Sequence, residues 1–289
     1  MANLISLNAH DALLEPLPDL KVSAKHTISS ALHPVDFTGD MRPWLNFPAE
    51  VLNTYNTQTW SQQAIDARFT GLNAASSTTE EHVVVSCETD VQGRFLGRAG
   101  QVLGAVFKDQ RLDLTFSSFK GAKLPHEGYR KFPDFVVMHP SGEAKVVGEA
   151  KVPWVPQHSL SDAISLFDSH AEENFRHLLG NPTPHILFLP TNTGLYIGQI
   201  ATYMLETEIK HGFLTTYDET VFLRKVDVNR QWVLEYSPVI FNDNQGSSMG
   251  TTGVSLSQCL YHIALVGLGD TYFGVNMGTR NQDWTIVRT

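Results

Sequence analysis

Phe132-Pro-Asp-Phe-Val-Val-Met-His-Pro-Ser-Gly-Glu-Ala-Lys-Val-Val-Gly-Glu-Ala-Lys151 sets two apolar runs on either side of Pro140-Ser-Gly142. Residues 132–139 and 144–152 read as two strands, with Ser141-Gly142 as the tip of the hairpin that joins them. With that tip, Asp134 falls opposite Glu149. Cross-strand partners share a face with Cβ atoms about 5 Å apart, and alternation brings Lys151 onto the same face. Three other acid-x-Lys triplets, Asp19 to Lys21, Glu143 to Lys145 and Glu208 to Lys210, lack this geometry. Glu143, for one, pairs with Pro140 at the turn, roughly 20 Å from Asp134.

Two carboxylates and a lysine on an otherwise apolar hairpin suit metal-assisted phosphodiester hydrolysis. Hard oxygen ligands at that spacing hold Mg²⁺ or Mn²⁺, and a lysine orients a water or stabilises charge on phosphorus. The same residues also suit an ion pair between facing strands. Gln199 and Tyr203 stand four apart on an expected helix, so amide and phenol share one face. Glu88 opens another helix on the face of Val91 and Phe95, either as a partner of the helix dipole or as a further metal ligand.

Outward from the hairpin the periodicity is that of an α/β protein on a mixed sheet. His82–Ser86 leads into a helix from Glu88 to Phe107 with Val91, Phe95, Ala99, Val102 and Val106 on one face. Leu112, Leu114 and Phe116 alternate as in a half-buried strand. Ser161–Leu179 reads as a helix, His185–Leu189 as a strand and Leu195–Lys210 as a helix. Gly212–Arg224 and Gln231–Ile240 read as strands, Asn242–Gly253 as a loop and Ser255–Leu268 as a helix. Five prolines between Pro16 and Pro48 make residues 1–80 an irregular arm, with short helices expected at Pro48–Leu52 and Thr59–Phe69. This divides the chain into an arm at 1–80, a core at 81–240 and a C-terminal loop, helix and tail at 241–289.

The 289 residues are 42% hydrophobic and 18% charged, which excludes disordered, collagen-like and coiled-coil chains. No apolar run approaches a membrane span, no secretory signal is evident, and two cysteines make no disulfide framework. These features point to an intracellular protein, cytoplasmic or nuclear, that is not secreted. A net charge of −9 opposes broad attraction to nucleic acid but leaves room for a local basic groove.

Pro133-Asp134, Glu149-Ala-Lys151, Gln199 and Tyr203 together resemble the PD-(D/E)XK nuclease superfamily, in particular its RecB-like exonuclease branch. The segment Gly212-Phe-Leu-Thr-Thr-Tyr-Asp-Glu-Thr-Val-Phe-Leu-Arg224 is also similar to a group of fungal proteins with this nuclease-like domain. The resemblance covers roughly residues 81–240. It implies a restriction-endonuclease-like core of helix, three strands, helix and strand, with the N-terminal arm and C-terminal additions outside it. It further implies Asp134 and Glu149 as metal ligands, Glu88 as a first-helix acid, Lys151 as the catalytic lysine and Gln199 and Tyr203 as supporting residues. The departure from the pattern is the gap between Lys151 and Gln199, which holds an additional helix and strand. Many fungal proteins with this look have no assigned activity.

Other signals are weaker. Gly246-Ser-Ser-Met-Gly250 matches a nucleophile elbow, but no acid lies between Ser248 and His262, and a loop is expected there. His170, Glu173 and His177 have metal-ligand spacing yet suit a solvated helix face. Gly267–Gly274 follows a helix, which is wrong for a dinucleotide loop. Arg94 and Arg98, then Lys120, Lys123, Arg130 and Lys131 with Tyr129 among them, then Arg224 and Lys225, form local basic clusters. The expectation is a Mg²⁺-dependent nuclease acting on DNA. The alternative is a non-hydrolytic binding or interaction protein, or a repurposed site, on the same fold.

Overall fold

A computed structural model describes residues 7–28, 35–37, 40–65, 83–168, 193–228, 231–248, 253–270 and 286–288. The elements are α1 (Ala9–Leu14), β1 (Lys21–Val22), β2 (Val35–Phe37), β3 (Asp40–Pro43), α2 (Phe47–Thr57), β4 (Val84–Val85) and α3 (Glu88–Phe95). A π-helical turn at Leu96–Gly100 joins α3 to α4 (Gln101–Asp109), and β5 (Thr115–Ser117), β6 (Phe135–Met138), β7 (Ala144–Ala150) and α5 (Leu160–Asp168) follow. Then come α6 (Thr193–Glu206), β8 (His211–Thr215), β9 (Glu219–Val228), β10 (Gln231–Tyr236), β11 (Ile240–Phe241), α7 (Leu256–Gly269) and β12 (Ile286–Arg288).

Among the described residues the centre is an eight-stranded mixed sheet in the order β3-β10-β9-β8-β7-β6-β5, with β11 on the start of β9. β7–β8 and β10–β3 run parallel; the other neighbours are antiparallel. Two small ladders, β1 with β4 and β2 with β12, stand apart from it.

Helices cover both faces of the sheet. On one, the stripe Val91, Phe95, Ala99, Val102 and Val106 is buried with α1, α2 and α7 around Phe135, Phe213 and Phe222. On the other, Ile200, Ala201 and Met204 of α6 pack on Val136, Val147 and Leu214. Gly148 is required where the two strand centres are crowded: a Cβ there would lie 2.2 Å from Cζ of Phe213. Gly267 does the same for α7, where a Cβ would lie 3.0 Å from the Lys145 carbonyl, so this glycine serves packing. A full capping box, Ser255 with Gln258, starts α7 where the sequence places it.

Several elements differ from the sequence reading. Gly212–Arg224 is a hairpin, β8 and β9, turning at Thr216–Asp218 with Tyr217 at φ 76°, a left-handed turn without glycine. Thr59–Ile65 is not helical; Trp60 instead folds back, its Nε1–H donating to the Tyr55 carbonyl at 3.0 Å. The strand expected from Leu112 begins at Thr115, after Arg111 at φ 53°. Asp40–Pro43, inside the irregular stretch, pairs with β10 at the sheet edge. Residues 169–179, the strand expected at 185–189, and His170, Glu173 and His177 lie outside the described residues. Ser248 stands eight residues ahead of Leu256, the first residue of α7, rather than at the start of a helix, and His262 is buried against Thr54, so among the described residues no nucleophile elbow is built from them.

Candidate active site

The hairpin β6–β7 pairs Phe135 with Gly148 and Val136 with Val147, so Asp134, one residue before β6, meets Glu149 across the strands. Asp134 Oδ2 accepts the backbone N–H of Ala150 at 2.8 Å. Lys151 leaves the end of β7 with its own N–H donated to the Thr215 carbonyl at 2.8 Å, which fixes it against β8. Its Nζ is 2.7 Å from Glu149 Oε1 and 3.6 Å from Glu88 Oε2, at the start of α3. The alternation that buries Val147 against α6 also turns Glu149 and Lys151 inward, leaving them 2% and 3% exposed.

From α6, Gln199 Nε2 donates to Glu149 Oε1 at 2.6 Å and to the Tyr203 hydroxyl at 2.9 Å. The structure thus brings Glu88, Asp134, Glu149, Lys151, Gln199 and Tyr203 into one cluster. Gln92, which the sequence reading passed over, donates to Asp134 as well. Its spacing of four from Glu88 puts it on the same helical face, a signal that was there to be used.

Burial governs the electrostatics. It pushes Asp134 up to about 6, against the pull of the Ala150 N–H and Lys151, while Glu88 pushes it further up. It pushes Glu149 up to about 8, with Lys151 opposing and Asp134 adding to the rise. For Lys151, burial pulls downward, but Glu149 and Glu88 outweigh it and hold the ammonium above its ordinary value. Burial and the nearby Glu149 likewise raise Tyr203.

The donor set fits a hard divalent ion held by few protein ligands. Glu149 Oε2 is buried without a hydrogen-bond partner, an oxygen left for a ligand to satisfy. Among the described residues no three His, Cys, Asp or Glu side chains gather as a ready-made cage. Mg²⁺ needs none, since it keeps waters and substrate phosphates around one or two carboxylates.

The basic clusters of the sequence separate. Arg224 is held inside, 2.6 Å from Glu235, 3.2 Å from Glu50 and 3.9 Å over the Trp44 ring. Lys225 is buried, Tyr129 is buried beside Phe119, and Lys131 is paired with Glu206. Lys120, Lys123 and Arg130 remain exposed. Glu143 pairs with Lys145 at the hairpin tip, away from the cluster. Among the described residues no helix is long and apolar enough to cross a membrane. Comparison with family models, with curated proteins and with solved structures gives no match.

Proposed function

We propose that the chain is a metal-dependent nuclease that hydrolyses phosphodiester bonds in DNA, with a PD-(D/E)XK-like site on a restriction-endonuclease-like core. The observation that carries this is the hydrogen-bonded chain Tyr203–Gln199–Glu149–Lys151, with Asp134 across from Glu149. The described elements run helix, three antiparallel strands, the two helices α5 and α6, and then β8 beside β7; with α5 counted as an addition this agrees with the order helix, three strands, helix and strand that the resemblance implies.

Asp134 and Glu149 would hold Mg²⁺ or Mn²⁺, with Glu88 in reach of the same charge cluster. The ion, when bound, supplies Lewis acidity toward phosphate and a more acidic water. Gln199 fixes Oε1 of Glu149 and so leaves Oε2 as the ligand oxygen. The Ala150 N–H holds Oδ2 of Asp134 in place. Lys151, kept protonated by its carboxylate neighbours, offers N–H donors to the phosphate oxygens as charge grows on them.

The burial of Glu149 and Lys151 and the net charge of −9 favour a second reading, a non-hydrolytic protein on the same fold. A cleavage assay on labelled DNA with Mg²⁺ or Mn²⁺ decides between them. Metal-dependent cleavage that is lost in Asp134→Asn and Glu149→Gln supports the nuclease; no cleavage of single- or double-stranded DNA or RNA supports the rival.

A further inference from the structure

We propose that Trp154 and His26, with Phe132 on the opposite flank, form a stacking platform that seats an unpaired nucleobase beside the Asp134–Glu149–Lys151 cluster. The inference rests on the nuclease reading and names the residues that position its substrate.

Trp154 follows Lys151 by three residues, so its backbone lies within about 11 Å of that lysine's. Its Nε1–H donates to the Thr27 carbonyl at 2.6 Å, and the Thr27 N–H donates to the Ser86 carbonyl at 2.9 Å. Ser86 is two residues ahead of Glu88, itself 3.6 Å from Lys151. Residues 21–28 therefore run as a strap tied to both chain segments that deliver the cluster. The strap begins as β1 on β4, and it ends over Trp154.

The His26 ring stands 5.2 Å from the Trp154 ring and is held by an Nδ1 contact of 2.8 Å to the Ser23 carbonyl. Both rings are half-buried, leaving part of each to solvent. On the other side, Phe132 is 40% exposed two residues before Asp134, braced edge-on by Tyr129 and Phe119. An aromatic surface on each flank of a phosphate-cleaving cluster suits bases whose faces are free.

Charge complements the rings. Lys21 and Lys25 are exposed on the strap, and neither has an ion pair among the described residues. In an acidic chain, two exposed cations on the strap that carries His26 suit a phosphate backbone. A duplex hides its base faces in the stack, so the platform favours unpaired nucleotides.

The test is fluorescence anisotropy of a short labelled oligothymidylate with the full chain, in EDTA at low salt, where no cleavage occurs. Wild type binds it more tightly than a duplex. Trp154→Ala weakens binding by about tenfold or more, and Trp154→Phe, which keeps a ring but not the bond to Thr27, weakens it less. Lys21→Ala combined with Lys25→Ala weakens binding and flattens its salt dependence by about one unit in log–log slope. No binding by wild type, equal preference for duplex, or unchanged binding in Trp154→Ala and in the lysine pair each overturns the platform. Should Trp154→Ala melt below wild type, His26→Ala and Phe132→Ala take its place, and unchanged binding in both overturns it equally. Mg²⁺-dependent cleavage is measured in parallel: cleavage with Trp154-independent binding removes the platform alone, while platform binding without cleavage removes the nuclease reading alone.

Discussion

Gln199 reaches across from α6 to place its Nε2 2.6 Å from Glu149 Oε1, joining two residues that are 50 positions apart in the chain. That oxygen also accepts from Lys151 at 2.7 Å, so one carboxylate oxygen is saturated while the other, Oε2, has no partner. The asymmetry gives the cluster a direction: Oε1 is tied into the fold, and Oε2, buried beside it, has no hydrogen bond.

Lys151→Met preserves the aliphatic stem but removes the donors. It is expected to lower kcat by ~10²-fold or more while DNA affinity changes little. Because the change strands Glu149 and Glu88 without their cation, some loss of melting temperature accompanies it. Glu143→Ala, at the hairpin tip, serves as control and leaves turnover as it was. Single-turnover cleavage of labelled DNA measures both; a fully active Lys151→Met removes the mechanism.

Divalent metal should stabilise the folded chain. Saturation a hundredfold above Kd is worth about 2.7 kcal/mol, a rise of several degrees for a chain of this size. Mg²⁺ or Mn²⁺ raises the melting temperature of wild type and of Glu143→Gln, whereas Asp134→Asn and Glu149→Gln lose the rise. Without metal at pH 8, Asp134→Asn melts above wild type. Burial pushes Asp134 up to about 6, so the stability it contributes is complete below 3.8 and lost as pH rises through 6. A metal shift that survives in both variants places the ion elsewhere.

Acid acts through a different pair. Burial pushes His211 down to about 3 and His262 down to about 4, so both are neutral in the fold and accept protons more readily when unfolded. Their stability is present above the ordinary histidine range near 6.5 and is lost as pH falls toward 4. The slope is roughly 1.4 kcal/mol per pH unit for each histidine. Denaturant midpoints between pH 7 and 4 should fall less steeply in His262→Gln than in wild type. Parallel slopes would show that His262 does not titrate on unfolding.

Gly148→Ala tests the crowding at the strand centres. The new methyl would press on the Phe213 ring, an overpacking worth about 1–3 kcal/mol. Thermal melts should show the loss, and Phe213→Leu in the same chain should recover part of it. Additive losses in the double variant would mean that the two side chains do not meet.

The hairpin that carries the site was legible for a reason that its turn conceals. Reading Ser141-Gly142 as a two-residue tip predicts Asp134 opposite Glu149, and the strands have that register. Yet the turn itself is one residue longer: His139 N–H donates to the Glu143 carbonyl, so His139 and not Pro140 faces Glu143, with Gly142 at φ 87°. A bulge between Val137 and Met138 restores the register before the site is reached. The apolar face shared by α3 and α4 was equally legible, because a helix buried on one side writes its period into the sequence. What was not legible lacked a local signature. The Thr216–Asp218 turn has neither glycine nor proline, and β3 is recruited by the distant β10. The strap over Trp154 depends on bonds to Ser86 and Thr27 that no local pattern encodes.

The order of the sheet has a consequence for how the chain behaves in concentrated solution. One rim is β5, three residues that give way at once to a 3-10 turn; the other is β3, four residues closed by Pro43, which has no N–H to offer. Among the described residues, a neighbouring chain seeking to extend the ladder finds only a few open backbone groups at either rim. β9, the longest strand among the described residues, lies shielded between β8 and β10. Edge-to-edge pairing at these two rims is thereby discouraged by geometry alone, before surface charge enters.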